Sequence, residues 1–422
     1  MKRILTYFDT PTARSSAFFY FSSIFASFFR YLFHLILLRL LAPSEYGEFS
    51  SYLSLIYILG IPTIIVSNVV VKYVSDFRGR GDDVSINQLF YFLLYKLSFI
   101  TIPLGLLLII FSNPLALLFK AHSLAFVVLG VSMFISVFQT IIGSYVFAYQ
   151  KIVFVTIIGF INVIVNILLA VIFIKLGFGA TGVIVAQILA GILTTIVSIF
   201  QIYKVIFPRI NFKSIPNFNF SGFIGYSFIY AVGTSMLIST DIILVRIFFD
   251  SHISGLYSSL IILGRMILFG LTPLISLVFP ISAHRHAKSY NTNSIFAKLG
   301  LVILFFGLGA ASIYSIFSDF IVSKMSLAYI ESAIWLPYVA FGMAFFAFSQ
   351  FIISYLMATS RPQASVLLLV ATIVQPVLIY VLRGSFDNVI FGNFGLQFTL
   401  FLMLSLYVIG EYFFSRFKIR KS

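Results

Sequence analysis

Residues 37–53 read LLRLLAPSEYGEFSSYL, and residues 244–261 read LVRIFFDSHISGLYSSLI. In both, an arginine near the end of an apolar run precedes a short turn, and a glycine opens the next apolar run. Arg39 falls on Arg246 at an offset of 207. After a one-residue slip, Gly47 falls on Gly255, Phe49 on Tyr257, and Ser50-Ser51 on Ser258-Ser259. The pattern continues downstream. Ser144-Tyr145-x-x-Ala148-x-x-Lys151 recurs as Ser354-Tyr355-x-x-Ala358-x-x-Arg361 at an offset of 210, and Gly179-x-x-Gly182 as Gly392-x-x-Gly395 at 213. Correspondences in one order at nearly one offset indicate a duplicated unit.

Composition says what kind of unit it is. Of the 422 residues, 61% are hydrophobic, 18% aromatic and only 9% charged, and the mean hydropathy is +1.10. Soluble domains carry roughly a quarter charged residues, so most of this surface faces lipid. The apolar runs each approach the roughly 20 residues that a helix needs to cross a bilayer. They predict helices at 15–41, 48–71, 87–111, 123–147, 152–175, 180–203, 221–247, 255–280, 298–320, 333–357, 363–383 and 389–414. The expected fold is an all-α polytopic membrane protein, about twelve spans in two parallel six-helix bundles around a central cavity. Residues 1–207 form the first bundle, 208–221 a cytoplasmic linker and 222–422 the second bundle. The first apolar run is too long for a signal peptide and reads as a span.

Of the 27 Lys and Arg, 18 lie in the loops on one side of this scheme and 6 on the other. The excess marks the cytoplasmic face and places both termini there. The net charge of +15 is thus a topology signal, and no nucleic-acid partner is expected. Cysteine is absent, which removes thiol chemistry. The chain has no Gly-Lys dipeptide, hence no phosphate-binding P-loop. The connections are too short for a soluble catalytic domain, and no cofactor or metal is expected. The protein reads as a non-enzyme that works within the bilayer.

Charge inside spans is costly, about 2.5–3.5 kcal/mol per group on insertion scales, so such groups face a cavity by default. On the first span, Ser16, Ser23, Ser27, Arg30 and His34 share one face. Tyr230, Thr234 and Asp241 repeat that stripe on the seventh span, and Ser258, Arg265, Thr272 and Ser276 line the eighth. Lys96 lies just inside the third. Such hydroxyl stripes also serve close helix packing, and Lys96 has the length to snorkel to the interface. Arg39 and Arg246, at helix ends, suit lipid headgroups or loop carbonyls. Arg30 and Arg265 lie deeper, and neither has an acid three or four residues away in its own helix. Their planar forks suit phosphate oxygens. His34 and Asp241 can titrate and are candidates for ion coupling. Gly60-x-Pro62 and Gly270-x-x-Pro273 should soften the second and eighth spans.

Parallel repeats place a substrate site at their interface, and two superfamilies share this plan. The stretch LLRLLAPSEYGEFSSYLSLI resembles the first hairpin of bacterial polysaccharide flippases of the multidrug/oligosaccharidyl-lipid/polysaccharide exporter superfamily. There, a first helix ends in arginine and is followed by Leu-x-Pro-x-x-Tyr-Gly. STDIILVRIFFDSHISGLYSSLIIL is similar to the seventh helix of that family. The rival plan, the major facilitator, has a loop motif to which KYVSDFRGRGDD conforms at Asp76, Gly79 and Arg80 but not at Lys72 or Phe77. The flippase resemblance implies a bacterial inner-membrane protein that passes a polyprenyl-pyrophosphate-linked oligosaccharide from the cytoplasmic to the outer leaflet by alternating access, for O-antigen-type surface polysaccharide. It implies pyrophosphate contacts from Arg30, Arg265 and Lys96. Sugar contacts would come from Ser23, Ser27, His34, Tyr230, Thr234, Asp241, Ser258 and Thr272. Membrane lipids, a polysaccharide polymerase and assembly proteins are the implied partners. The alternatives are a drug or small-solute exporter of either superfamily and a membrane-embedded glycan polymerase or ligase. The latter lacks the long outer loop such chemistry uses.

Overall fold

A computed structural model describes residues 28–206, 221–287, 290 and 292–419. Among these residues the chain forms helices and turns without a strand. Ten helices are long and apolar enough to cross a membrane, and a bent pair makes an eleventh span. The first expected span contributes helix 28–40, the rest of it lying outside the described residues. The spans are numbered here in chain order from that helix.

Two compact units emerge. The first comprises residues 1–41 and 48–227, the second Ala42–Gly47 together with Phe228–Ser422. The short turn Ala42–Gly47 thus packs with the C-terminal unit, an exchange that the expected 1–207 and 222–422 division did not include. Most of the expected linker, 208–220, lies outside the described residues, and Ser221 opens the seventh span.

Both units use one internal plan. In the N-terminal unit, span four (Ser123–Ala148) packs against spans two, three and six, and span five (Ile152–Lys175) against span six (Gly179–Ile206). In the C-terminal unit, span ten (Leu336–Ala358) packs against spans eight, nine and twelve, and span eleven (Ser365–Leu382) against span twelve (Phe386–Ile419). Even the small parts recur. Span three (Asp83–Ile110) is followed by a short helix, Ser112–Phe119, and span nine (Asn293–Ile316) by Ser318–Met325. Neither short helix was expected, because each merges into the apolar run beside it.

The repeated tyrosines have matching roles. Tyr145 donates to the carbonyl of Ile86 at the start of span three, at 2.8 Å. Tyr355 meets Thr292 Oγ1 at 2.8 Å and Asn293 Oδ1 at 3.3 Å, at the start of span nine. Just beyond, Gln150 and Ser360 both adopt left-handed backbone, with φ of 57° and 62°. Such values are uncommon outside glycine, and they recur at an offset of 210. The third correspondence needs correcting. A Cβ on Gly182 would lie 2.8 Å from Phe173 Cβ, and one on Gly392 2.5 Å from Leu382 Cδ1, whereas Gly395 is open. Gly392 therefore shares the packing role of Gly182, and that offset is also 210.

Span two bends by 48° between Pro43–Leu59 and Ile61–Arg80. Pro62 lacks an N–H and its ring crowds the preceding turn, so the bend falls where Gly60-x-Pro62 predicts it. Span eight (Ser251–Ala287) continues helical through Gly270 and Pro273. The KYVSDFRGRGDD turn has a local explanation. Gly81, at φ 70°, ends span two, and Asp82 caps span three by accepting from Ser85 N at 3.0 Å. The Ser85 hydroxyl and amide hold the Asp82 carboxyl below its usual range.

Candidate functional site: wet helix faces and a buried charge pair

Exposed stripes separate the lipid-facing helices from the others. Span five exposes Val153, Ile157, Ile161, Ile164, Leu168 and Ile172; span eleven exposes Val366, Val370, Ile373, Val374, Val377 and Val381. These are lipid faces. Span two instead exposes Ile64, Asn68, Lys72 and Asp76 at helical spacing. Span eight exposes Phe269, Thr272, Ser276 and Phe279. An amide, an ammonium and a carboxylate on one open face are costly against hydrocarbon, so the face of span two is wet. The repeat offset of 208 places Asn68 on Ser276 and Ile64 on Thr272. The same part of the second span of each unit is therefore the polar one.

Arg30 is exposed on helix 28–40, and among the described residues no ion pair takes it up. His34 lies one turn on, half-buried beside Phe33 and Phe49, at ring distances of 5.6 and 6.0 Å. Ser23 and Ser27 lie outside the described residues. Lys96 is exposed, 5.8 Å from the Phe92 ring centroid and flanked by exposed Tyr95 and Phe99. That apolar setting is one in which a lysine snorkels.

Arg265 departs from expectation. It is 3% exposed, and its guanidinium donates to the carbonyl of Ile238. The cause is a break in span seven that the sequence reading missed. That span comprises Ser221–Leu237 and Thr240–Phe248, with a turn at Ile238 and Ser239. The run Ser239-Thr240-Asp241 offers side-chain bonds that compete with the helix backbone. Two carbonyls freed at the break are taken up by side chains: Ile238 O by Arg265 and Leu237 O by Gln375 Nε2 at 3.1 Å. Arg265 thus sits at the negative end of one half-helix. Asp241 sits at the positive end of the next and accepts from Ile242 N at 2.8 Å. The Arg265 charge acts on the Asp241 carboxylate.

Asp241, 3% exposed, heads a chain of hydrogen bonds through four spans. Tyr257 OH donates to Asp241 Oδ2 at 2.9 Å, Asn393 Nδ2 to Tyr257 OH at 3.1 Å, and Gln375 Nε2 to Asn393 Oδ1 at 3.2 Å. These side chains border a cavity of about 30 Å3, room for a water molecule. Gln375 Oε1 and Gln397 Oε1, both from residues lining it, lack partners among the described residues. The repeat is visible here too. His34 meets Phe49 as rings where, 207 and 208 residues on, Asp241 meets Tyr257 as a hydrogen bond. Of the other expected residues, Tyr230 lies 3.5 Å from Gln350 Oε1, Thr234 is half-buried, Ser258 is buried, and Thr272 is exposed and donates to Leu268 O at 2.9 Å.

The two copies of the opening phrase meet inside the C-terminal unit. Arg246, 1% exposed, donates to Ser44 O at 3.1 Å, which makes a loop carbonyl one of its partners. A Cβ on Gly255 would lie 1.9 Å from Pro43 O, and one on Gly47 2.7 Å from Gly255 N. Only glycine permits backbones to approach this closely. Tyr46 and Tyr329 close the junction edge-to-face at 6.2 Å.

Solved structures share this architecture. An inward-facing multidrug resistance MATE family transporter of the MOP superfamily matches with a TM-score of 0.73 at 12% identity, covering 91% of this chain and 95% of that one. The lipid II flippase MurJ in an inward closed conformation matches at 0.73 and 13% identity, covering 93% and 87%. A MOP superfamily transporter from Pyrococcus furiosus, described as having a binding pocket of reversed polarity, matches at 0.64 and 15% identity, covering 93% and 95%. No family model matches the chain, and no curated protein matches it. The fold is that of MOP superfamily transporters, a multi-pass helical membrane protein of two six-helix units.

Proposed function

We propose that this protein is a flippase that moves a polyprenyl-pyrophosphate-linked oligosaccharide from the cytoplasmic to the outer leaflet of a bacterial inner membrane, by alternating access, with both termini cytoplasmic. One observation carries the reading. Among helices with purely apolar open faces, spans two and eight expose polar side chains at equivalent positions, and the N-terminal unit adds exposed cations. A wet, cationic path suits a pyrophosphate, and its hydroxyls and amides suit sugars. The likeness to a lipid II flippase supports a lipid-linked cargo.

Within this reading the pyrophosphate contact falls to Arg30. Arg265, tied to Ile238 O, holds the break in span seven instead. Asp241 remains the candidate for ion coupling, with His34 as its repeat counterpart. Thr272 and Ser276 serve the sugars. An exporter of cationic drugs would need open carboxylates. Asp241 is buried, Glu48 accepts from Tyr52, and the exposed Asp76 stands among Lys72, Arg78 and Arg80. The surface polysaccharide polymerase and assembly proteins are the partners this role requires.

The test is Arg30→Ala beside Arg30→Lys, with surface glycan measured at matched protein levels. Loss of at least tenfold in the alanine variant, with partial retention by lysine, is expected. Normal export by both removes the anion-binding role of Arg30.

A further inference from the structure

The N-terminal unit holds a feature that the proposal above does not use. On the wet face of span two, a cavity of about 570 Å3 is lined by Ser67, Asn68, Val71 and Lys72, with Phe147 of span four. Ser144 on span four bonds Ser67 at 2.9 Å and fixes the floor. Lys72 extends from the same face, its ammonium 5.2 Å from the Tyr73 ring centroid. The other charge on this face is Asp76, one turn further on.

From this geometry we infer that Lys72, Asn68 and Ser67 form a phosphate subsite for the lipid-linked cargo, carried by the N-terminal unit alone. Three points support it. The ammonium is exposed, so an anion reaches it without first unpacking protein. Asn68 and Ser67, one turn and five residues back, supply neutral donors of the kind that complete phosphate recognition beside a lysine point charge. The equivalent face of span eight exposes Thr272 and Ser276, hydroxyls that already donate to their own backbone at 2.9 and 2.8 Å. Its deeper arginine, Arg265, is buried. The described parts of these two faces divide the labour: charge for the phosphate on the N-terminal unit, neutral polar groups on the C-terminal one. Phe147, exposed at the rim, offers an apolar edge to the first isoprene units.

The inference rests on the lipid-linked reading, and the experiment separates the two. The full chain in phosphatidylcholine nanodiscs is titrated with polyprenyl pyrophosphate, with inorganic pyrophosphate and phosphatidylglycerol as competitors. Wild-type protein should bind the polyprenyl pyrophosphate. Lys72→Ala should weaken binding at least tenfold, Lys72→Arg should keep most of it, and Asn68→Ala should weaken it severalfold. Lys175→Ala, an exposed lysine at the far end of span five, should change nothing. Inorganic pyrophosphate should compete and phosphatidylglycerol should not. Wild-type binding that Lys72→Ala leaves intact overturns the subsite and spares the cargo. Equal competition by phosphatidylglycerol makes Lys72 an ordinary headgroup contact and also overturns it. Absence of wild-type binding overturns the cargo reading, and the subsite with it.

Discussion

Export stops when residue 47 is joined to residue 254 by a disulfide, and resumes on reduction. The chain has no cysteine, so Gly47→Cys with Ser254→Cys introduces the sole pair. A Cβ built on Gly47 lies 2.9 Å from Ser254 Oγ, within the reach of a disulfide, whose Cβ atoms sit about 4 Å apart. The turn Ala42–Gly47 belongs by sequence to the first repeat but packs with the C-terminal unit. Alternating access requires the repeats to rock, and this turn must then leave its seat once per cycle. The Gly47 Cβ also comes within 2.7 Å of Gly255 N, and overpacking of this sort costs about 1–3 kcal/mol. Gly47→Cys alone is therefore the reference. Surface glycan should fall to background only in the oxidised double variant and return to the reference level after thiol treatment. Equal export by oxidised and reduced forms would mean that the turn stays seated throughout.

Arg265→Ala should be the most damaging single substitution in the C-terminal unit. It strands Asp241 without its neighbouring cation and leaves the Ile238 carbonyl unbonded inside the broken span. Breaking a buried charge pair by removing one partner costs about 3–5 kcal/mol, a large share of the roughly 5–15 kcal/mol that holds a typical domain together. Membrane-inserted protein should drop sharply. Arg265→Met combined with Asp241→Asn removes both charges and should recover most of the lost protein, since neutral replacement of a buried pair is often tolerated. Thermal unfolding in detergent reads both effects. A stable Arg265→Ala protein would show that the pair does not hold the break. If the double variant is recovered yet exports nothing, Asp241 has a part in coupling as proposed; normal export removes it from that role.

The sequence was most legible where membrane physics is strict. The apolar runs had to be helices because backbone polar groups in lipid must bond internally, and the repeated phrase betrayed the duplication. Gly60-x-Pro62 announced its bend. Span seven was harder. Its apolar residues run straight through Ile238 and Ser239, and hydropathy does not register a backbone break whose carbonyls are satisfied by distant side chains. Arg265 was consequently taken for an open cation. Its partners, Ile238 and Asp241, lie 27 and 24 residues away in another helix, beyond any periodicity rule. Lys72 was hidden differently. As one of many cytoplasmic-side lysines it was absorbed into the topology count, and only the exposed polar stripe around it set it apart. The short helices Ser112–Phe119 and Ser318–Met325 were lost within longer apolar stretches.

Reconstitution addresses the central claim most directly. The purified chain is placed in liposomes carrying a fluorescent polyprenyl-pyrophosphate oligosaccharide, and a membrane-impermeant quencher reports how much label crosses between leaflets. Protein-dependent crossing, at least tenfold slower with Arg30→Ala, is the expected result. Label that stays in its original leaflet, with the protein shown to be inserted and folded, would contradict a flippase function.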